Sequence, residues 1–107
     1  MPELPEVQTV INILQKSITD ETISGVRVIY PGILHDTSTE TLEQELPHQV
    51  IKGFRRKGKY LIFLLSKGSL IVHLRMEGKF YILPQDAGIE KHVHIVIYFE
   101  SGKAIHY

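Results

Sequence analysis

The chain has 107 residues, of which 43% are hydrophobic, and its formal net charge at neutral pH is zero. This length and apolar content suffice for one domain with a hydrophobic core, whereas the balanced charge argues against a uniformly basic nucleic-acid binder. The sequence has no cysteine, which excludes disulfides and thiolate metal sites within it. No apolar run approaches the ~20 residues of a membrane helix, and no signal peptide is recognisable, so the composition predicts a soluble intracellular protein.

The N-terminal segment predicts an amphipathic helix. Apolar residues recur at helical spacing from Val7 to Ile18. We therefore expect a helix over about residues 3–17, with Pro5 tolerated in its first turn because a proline there removes no intrahelical hydrogen bond.

A strand and a short second helix are predicted next. Residues 22–30 have strand character and stop at a Pro-Gly pair. Thr37 or Ser38 can cap the helix that follows, and Glu40 is spaced to complete a capping box from Thr37. Pro47 is expected to end this helix.

The rest of the chain predicts β-structure. Short apolar runs cover residues 50–56, 60–65, 70–74, 79–83, 93–99 and 103–107. Glycine-containing turn signals separate most of them, which favours antiparallel pairing. The expected fold class is α+β, mostly β: an antiparallel β-sandwich with an N-terminal helix and a second short helix. Because the last run reaches residue 107 without closing polar residues, we expect the chain to be a fragment of a longer protein.

The N-terminus carries a candidate nucleophile. If Met1 is removed, Pro2 presents a secondary α-amine, and α-amines titrate near ~8, so part of the population is unprotonated at neutral pH. Such an amine can attack an electrophilic carbon and form an iminium, and Glu3 and Glu6 lie beside it as potential acid–base groups. The alternative from composition alone is an ordinary helix start, where prolines and acidic residues are common.

Four cations are clustered between two predicted strands, at Arg55, Arg56, Lys57 and Lys59. One interpretation is a solvated hairpin whose charges prevent sheet edges from associating. The other is phosphate binding, in which each cationic contact adds salt-dependent affinity for nucleic acid.

Two further segments contain candidate ligands. In the strand that precedes Met76, residues His73 and Arg75 share one face, although a lone histidine is more often a surface residue and a lone methionine more often fills a core. His92 and His94 are spaced to lie on one strand face. A zinc site there is possible, but no third ligand is evident.

Three motifs in order carry a resemblance to a known family. Directly after Met1 stands Pro-Glu-Leu-Pro-Glu-Val, followed by Arg-Arg-x-Gly-Lys at residues 55–59 and His-Leu-Arg-Met-x-Gly at residues 73–78. Together they resemble the formamidopyrimidine-DNA glycosylase family, the bacterial 8-oxoguanine repair enzymes. The resemblance spans the whole chain and is lowest around residues 20–50. Relatives that act on oxidised pyrimidines typically open with Pro-Glu-Gly-Pro-Glu, so Leu4 favours the purine-lesion branch.

The resemblance implies a bifunctional glycosylase and AP lyase. In such an enzyme the damaged purine is extruded from the helix, the Pro2 amine attacks the sugar C1′ and displaces the base, and Glu3 shuttles protons. Glu6 would orient the terminus. The iminium acidifies the 2′ position, elimination cuts the strand, and Lys59 contacts the phosphate beside the lesion.

The resemblance also implies a set of DNA-binding residues. His73 would contact phosphate, and Met76 would fill the space left by the extruded base, which requires an apolar group. The implied DNA-binding residues are Arg55, Arg56, His73, Arg75, Met76 and His92.

Residues 1–107 are accordingly expected to be the N-terminal catalytic domain of a monomeric enzyme that acts on damaged double-stranded DNA. The enzyme is expected in the bacterial cytoplasm, at the nucleoid, without membrane contact. The family's second half carries a helix-two-turn-helix module and a four-cysteine zinc finger, so one zinc is expected there and no cofactor in this chain. The fragment alone should be inactive.

Three alternative functions stay open. They are a non-catalytic DNA-binding module of the same fold, a glycosylase for oxidised pyrimidines, and an unrelated proline-amine enzyme acting on small molecules. The four-cation turn argues against the last of these.

Overall fold

The computed structural model describes residues 4–34, 37–73 and 80–107, with the side chains of residues 4–6 and Ile33 excepted. The helices are α1 (Leu4–Ile18) and α2 (Thr39–Glu45), and the strands are β1 (Ile23–Val28), β2 (Ile51–Lys57), β3 (Tyr60–Leu65), β4 (Ser69–His73), β5 (Tyr81–Pro84), β6 (Ile95–Phe99) and β7 (Lys103–His106). A short 3₁₀ turn over Pro31–Ile33, which the sequence did not predict, follows β1. The chain forms two compact units, residues 1–21 with 50–79 and residues 22–49 with 80–107.

The first unit combines α1 with an antiparallel sheet of order β2-β3-β4. The predicted amphipathic helix is confirmed, because its apolar stripe is buried at Val7, Ile11, Leu14 and Ile18. α1 packs against β2. Each of these side chains contributes about 1.5–3 kcal/mol on full burial, so the stripe, rather than helix propensity, holds α1 in place.

The β2–β3 hairpin supplies most of the remaining core of this unit. Phe54 lies opposite Phe63, and their rings meet edge to face with centroids 4.9 Å apart. Leu61, Phe63 and Leu65 are buried and alternate with less buried residues, as expected for a strand with one face in a core. The pairing register shifts between Ile51 and Gly53, which marks a bulge near the start of the hairpin.

The second unit combines α2 with an antiparallel sheet of order β1-β6-β7-β5. α2 packs against β1 and begins after Ser38, whose hydroxyl accepts a hydrogen bond of 3.1 Å from the Thr41 backbone N–H. Ser38 is one of the two predicted caps. The predicted capping box from Thr37 is therefore wrong, because a cap at Ser38 places Thr41, and not Glu40, at the third helical position.

The predicted α+β class with two helices and antiparallel strands is confirmed. One boundary difference concerns the run at residues 93–99, since β6 begins only at Ile95. The backbone N–H of Val93 instead bonds to the carbonyl of Glu90 and closes a turn. Neither helix in the described ranges is long and apolar enough to cross a membrane.

Candidate nucleic-acid interface

The tip of the β2–β3 hairpin presents Lys59 to solvent. Lys57 and Tyr60 are cross-strand partners, so Gly58 and Lys59 alone form the loop. Gly58 has a φ of +60°, and an added Cβ would meet nothing within 4 Å, so the turn requires glycine for its backbone conformation and not for space. Glycine at the first of two loop positions is the arrangement of a type II′ turn, which matches the twist of the strands. The exposed Lys59 therefore lies on a short, well-defined loop.

The cations of β2 divide between the two faces of the sheet. Residues directly opposite each other point to the same face. Arg55 lies opposite Ile62 and Lys57 opposite Tyr60, whereas Arg56 lies opposite the buried Leu61. All three cations are exposed. The sequence cluster is thus not a single patch.

His73 joins the face that carries Lys57. It is the last residue of β4 and lies opposite Tyr60, and the two rings pack with centroids 5.2 Å apart and planes inclined by 41°. Tyr60 is 43% exposed, while His73 is half-buried and its Nε2 atom is buried. We call the residues Arg55, Lys57, Tyr60 and His73 the hairpin face.

The segment that forms the three-stranded sheet carries cationic side chains and no acidic ones. Residues 50–73, which comprise β2, β3 and β4, contain no aspartate or glutamate. The same segment contains the cations Lys52, Arg55, Arg56, Lys57, Lys59 and Lys67. The chain as a whole is neutral, so this segment carries a local excess of positive charge that favours contact with a polyanion. The absence of acids can be read from the sequence, but it matters only once the fold brings these strands into one sheet.

Several predicted site residues lie outside the described part of the chain. These are Pro2, Glu3, Arg75 and Met76, together with the side chain of Glu6, whose backbone belongs to α1. Their assigned roles remain predictions.

The two histidines after Lys91 do not share a strand face, which corrects the sequence interpretation. His92 is exposed and belongs to the turn before β6. His94 is half-buried, its backbone N–H donates to the Tyr107 carbonyl at 2.6 Å, and its ring packs on Tyr30 with centroids 5.4 Å apart. No group of three potential metal ligands occurs within residues 4–34, 37–73 and 80–107. Of these two histidines, His92 is the exposed one.

A buried histidine was not singled out from the sequence. His106 in β7 is 2% exposed and lies between Val96 of β6 and Tyr81 of β5. Its Nδ1 atom is buried with no hydrogen-bond partner among the residues that the structure describes. No local pattern signals this position, because an apolar strand tolerates a single histidine without changing its periodicity.

Comparison with known proteins gives consistent matches over the whole chain. The family described as "Formamidopyrimidine-DNA glycosylase N-terminal domain" matches residues 1–107. Formamidopyrimidine-DNA glycosylase of Streptococcus pneumoniae strain R6 is 44% identical over 107 residues, which are 100% of this chain and 39% of that protein. The chain thus spans about two fifths of the length of this relative.

Solved structures are also similar. The crystal structure of wild-type Lactococcus lactis Fpg (MutM) with DNA containing N7-benzyl-Fapy-dG has a TM-score of 0.89 and 44% identity, covering 98% of this chain and 39% of that one. A complex of the wild-type Lactococcus lactis protein with DNA containing an oxidised pyrimidine also has a TM-score of 0.89 and 44% identity, covering 98% of this chain and 40% of that one.

Proposed function

The chain belongs to the formamidopyrimidine-DNA glycosylase N-terminal domain family, and we propose that it is the N-terminal catalytic domain of a longer DNA glycosylase and AP lyase that removes oxidised purines. The observation that carries this proposal is the combination of Pro-Glu-Leu-Pro-Glu-Val directly after Met1 with a sheet segment, residues 50–73, that has cations and no acids. The first feature supplies a nucleophile, and the second suits a polyanionic substrate.

The proposed reaction begins at Pro2. After removal of Met1, the Pro2 nitrogen attacks the sugar C1′, the glycosidic bond breaks, and the damaged base leaves with a proton. The C1′–O4′ bond of the sugar then breaks, O4′ takes up a proton, and an iminium forms between Pro2 and C1′. This iminium withdraws electrons, so a proton is lost from C2′ and the 3′ phosphate is eliminated. Glu3 is the proposed proton shuttle and Glu6 the residue that orients the amine. Carboxylates within hydrogen-bonding reach of the reacting atoms commonly supply about 10²–10⁴-fold in rate.

The hairpin is the proposed phosphate-binding element. Lys59 stands on the exposed loop, where a flexible ammonium can reach a phosphate beside the lesion. Arg55 and His73 lie on the hairpin face, and Arg56 points to the opposite face of the sheet. We propose that the two faces contact different phosphates, because Arg55 and Arg56 point away from each other across the strand. His92, Arg75 and Met76 complete the proposed interface, with Met76 filling the space left by the extruded base.

The proposed partner is damaged double-stranded DNA, bound by a monomer in the bacterial cytoplasm at the nucleoid. The relatives are bacterial proteins, and the similar solved structures are complexes with damaged DNA. A structural zinc would belong to the C-terminal part of the longer protein. The residues of this chain do not fit such a site, because it has no cysteine.

Trapping with borohydride tests the proposed chemistry. The full-length protein, prepared with Pro2 as its first residue, is incubated with duplex DNA containing 8-oxoguanine or an abasic site and reduced. We expect a covalent adduct whose mass adds to the N-terminal peptide. A matched preparation that retains one residue before Pro2 has an amide nitrogen there and should give none. Absence of an adduct with abasic DNA from the Pro2 preparation would overturn the catalytic proposal and leave a non-catalytic DNA-binding module.

A second candidate is a preference for oxidised pyrimidines. It is favoured by the 44% identical Lactococcus lactis protein, whose structure has been solved with oxidised-pyrimidine DNA. Parallel excision assays on duplexes that differ only in the lesion distinguish the two. Faster release of 8-oxoguanine than of an oxidised pyrimidine is expected if Leu4 marks the purine branch.

A further inference from the structure

Tyr60 lies at the centre of a row of three residues that crosses the three-stranded sheet. Lys57 of β2 is its partner on one side, and His73 of β4 is its partner on the other. The three residues share the hairpin face, one position from the loop that carries Lys59. Tyr60 is 43% exposed, so core packing does not account for an aromatic residue at this position.

The contact between Tyr60 and His73 is specific. Their ring centroids are 5.2 Å apart with planes inclined by 41°, within the range in which aromatic pairs attract each other beyond simple burial. His73 ends β4, which is an edge strand of its sheet, so β3 is the strand beside it. On the hairpin face, Tyr60 is therefore the cross-strand neighbour that limits where the imidazole can point.

This geometry has a consequence for binding. Without a neighbouring ring, a half-buried histidine at a strand end can sample several rotamers, and only some direct a ring nitrogen outward. Fixing the ring before DNA arrives removes an ordering cost that binding would otherwise have to meet. The Nε2 atom of His73 is buried in the free protein, so the phosphate contact proposed for His73 has to use Nδ1, and the ring has to keep the orientation that allows it.

We propose, resting on the proposed function, that Tyr60 is a positioning residue for DNA binding, and that its ring holds the His73 imidazole in the orientation that contacts phosphate. The aromatic ring carries this role, and the hydroxyl group is dispensable for it. Tyr60 acts through His73, so its contribution should vanish when His73 is absent.

A double-mutant cycle tests this coupling. The full-length protein, Tyr60→Leu, His73→Ala and the double variant are titrated with a duplex containing a tetrahydrofuran abasic analogue at fixed salt. We expect Tyr60→Leu to raise Kd about three- to tenfold, the range of an aromatic pair contact, and to add nothing in the His73→Ala background. Tyr60→Phe should bind like wild type. Tyr81→Leu, at a 53% exposed tyrosine on an edge strand of the other sheet, is the matched control and should also bind like wild type.

Proton NMR of the free protein gives a readout that does not depend on DNA. The His73 ring protons should show a ring-current shift that persists in Tyr60→Phe and disappears in Tyr60→Leu. Additive losses in the cycle, or a Tyr60→Phe loss equal to that of Tyr60→Leu, would overturn the positioning role. If the wild-type protein does not bind the abasic duplex at all, both the proposed function and this inference are wrong. If it binds but the losses of affinity in the two single variants add up in the double variant, only the inference is wrong.

Discussion

Replacing Gly58 by alanine isolates the backbone requirement of the hairpin that presents Lys59. Gly58 has a φ of +60°, and a Cβ added there would meet nothing within 4 Å. The substitution therefore introduces no clash with neighbouring atoms. Its effect comes from placing an L-residue in the left-handed region, which lowers the free energy of unfolding by about 1–2 kcal/mol. With a urea m-value of ~1–3 kcal/mol/M, the unfolding midpoint should fall by about 0.3–2 M.

Gly25 offers a matched control within the same chain. It lies in β1, has no positive φ, and a Cβ there would also meet nothing within 4 Å. Gly25→Ala should be neutral or slightly stabilising, because it restricts the unfolded chain without straining the folded one. Gly58→Asn should fall between the two alanine variants, since asparagine tolerates positive φ better than alanine.

The assay is equilibrium urea unfolding followed by circular dichroism, with DNA titration of each variant in the full-length protein. Gly58→Ala should also weaken DNA binding, because a relaxed turn displaces Lys59 and the Lys57–Tyr60 pair that flank it. Equal stability of Gly58→Ala and Gly25→Ala would refute the assignment of a strained turn, and with it the view that this loop holds Lys59 in place.

Three further predictions concern other parts of the molecule. Met76→Ala in the full-length protein should slow excision of 8-oxoguanine more than cleavage of a preformed abasic site, because less unstacking is needed there; equal losses in gel-based assays would contradict the wedge role. His106→Leu should raise the melting temperature by about 4 °C, because it removes a buried nitrogen that has no hydrogen-bond partner among the described residues and whose desolvation costs ~1 kcal/mol. A lower melting temperature would show that this nitrogen is hydrogen-bonded in the folded protein. Residues 1–107 alone should melt cooperatively and bind no zinc. They should bind DNA with a Kd of ~10⁻⁴ to 10⁻⁶ M at physiological salt and excise no 8-oxoguanine. Multi-turnover excision by a preparation free of host glycosylase would contradict this.

Much of the local structure follows from the sequence because its causes act within a few residues. The apolar spacing from Val7 to Ile18 predicts α1, and the structure buries that stripe. Glycine at position 58 predicts a turn, and the structure confirms one with positive φ. The motifs at residues 2–7, 55–59 and 73–78 resemble one family in the correct order, and the family match over the whole chain confirms that identification.

The composition of the hairpin face was decided by tertiary structure. Strand alternation alone puts the neighbours Arg55 and Arg56 on opposite faces, but only the register with β3 sets Arg55 opposite Ile62 and Arg56 opposite the buried Leu61. Tyr60 and His73 lie thirteen positions apart, and only the β3–β4 register brings their rings within 5.2 Å. A shift of one residue would have turned every side chain of β4 to the other face, and a local pattern cannot determine that register.

The same limit explains why the sequence-based prediction was wrong for His92 and His94 and missed the burial of His106. His92 and His94 have strand spacing, yet the bond from Val93 to Glu90 makes a turn and delays β6 to Ile95. His106 is buried because β7 lies between β5 and β6, an order that does not follow the chain. Sequence determines which residues can form helices, strands and turns and which chemical groups are present. Pairing between distant strands determines which of those groups meet, because burial and register are properties of the assembled sheet and not of any one segment.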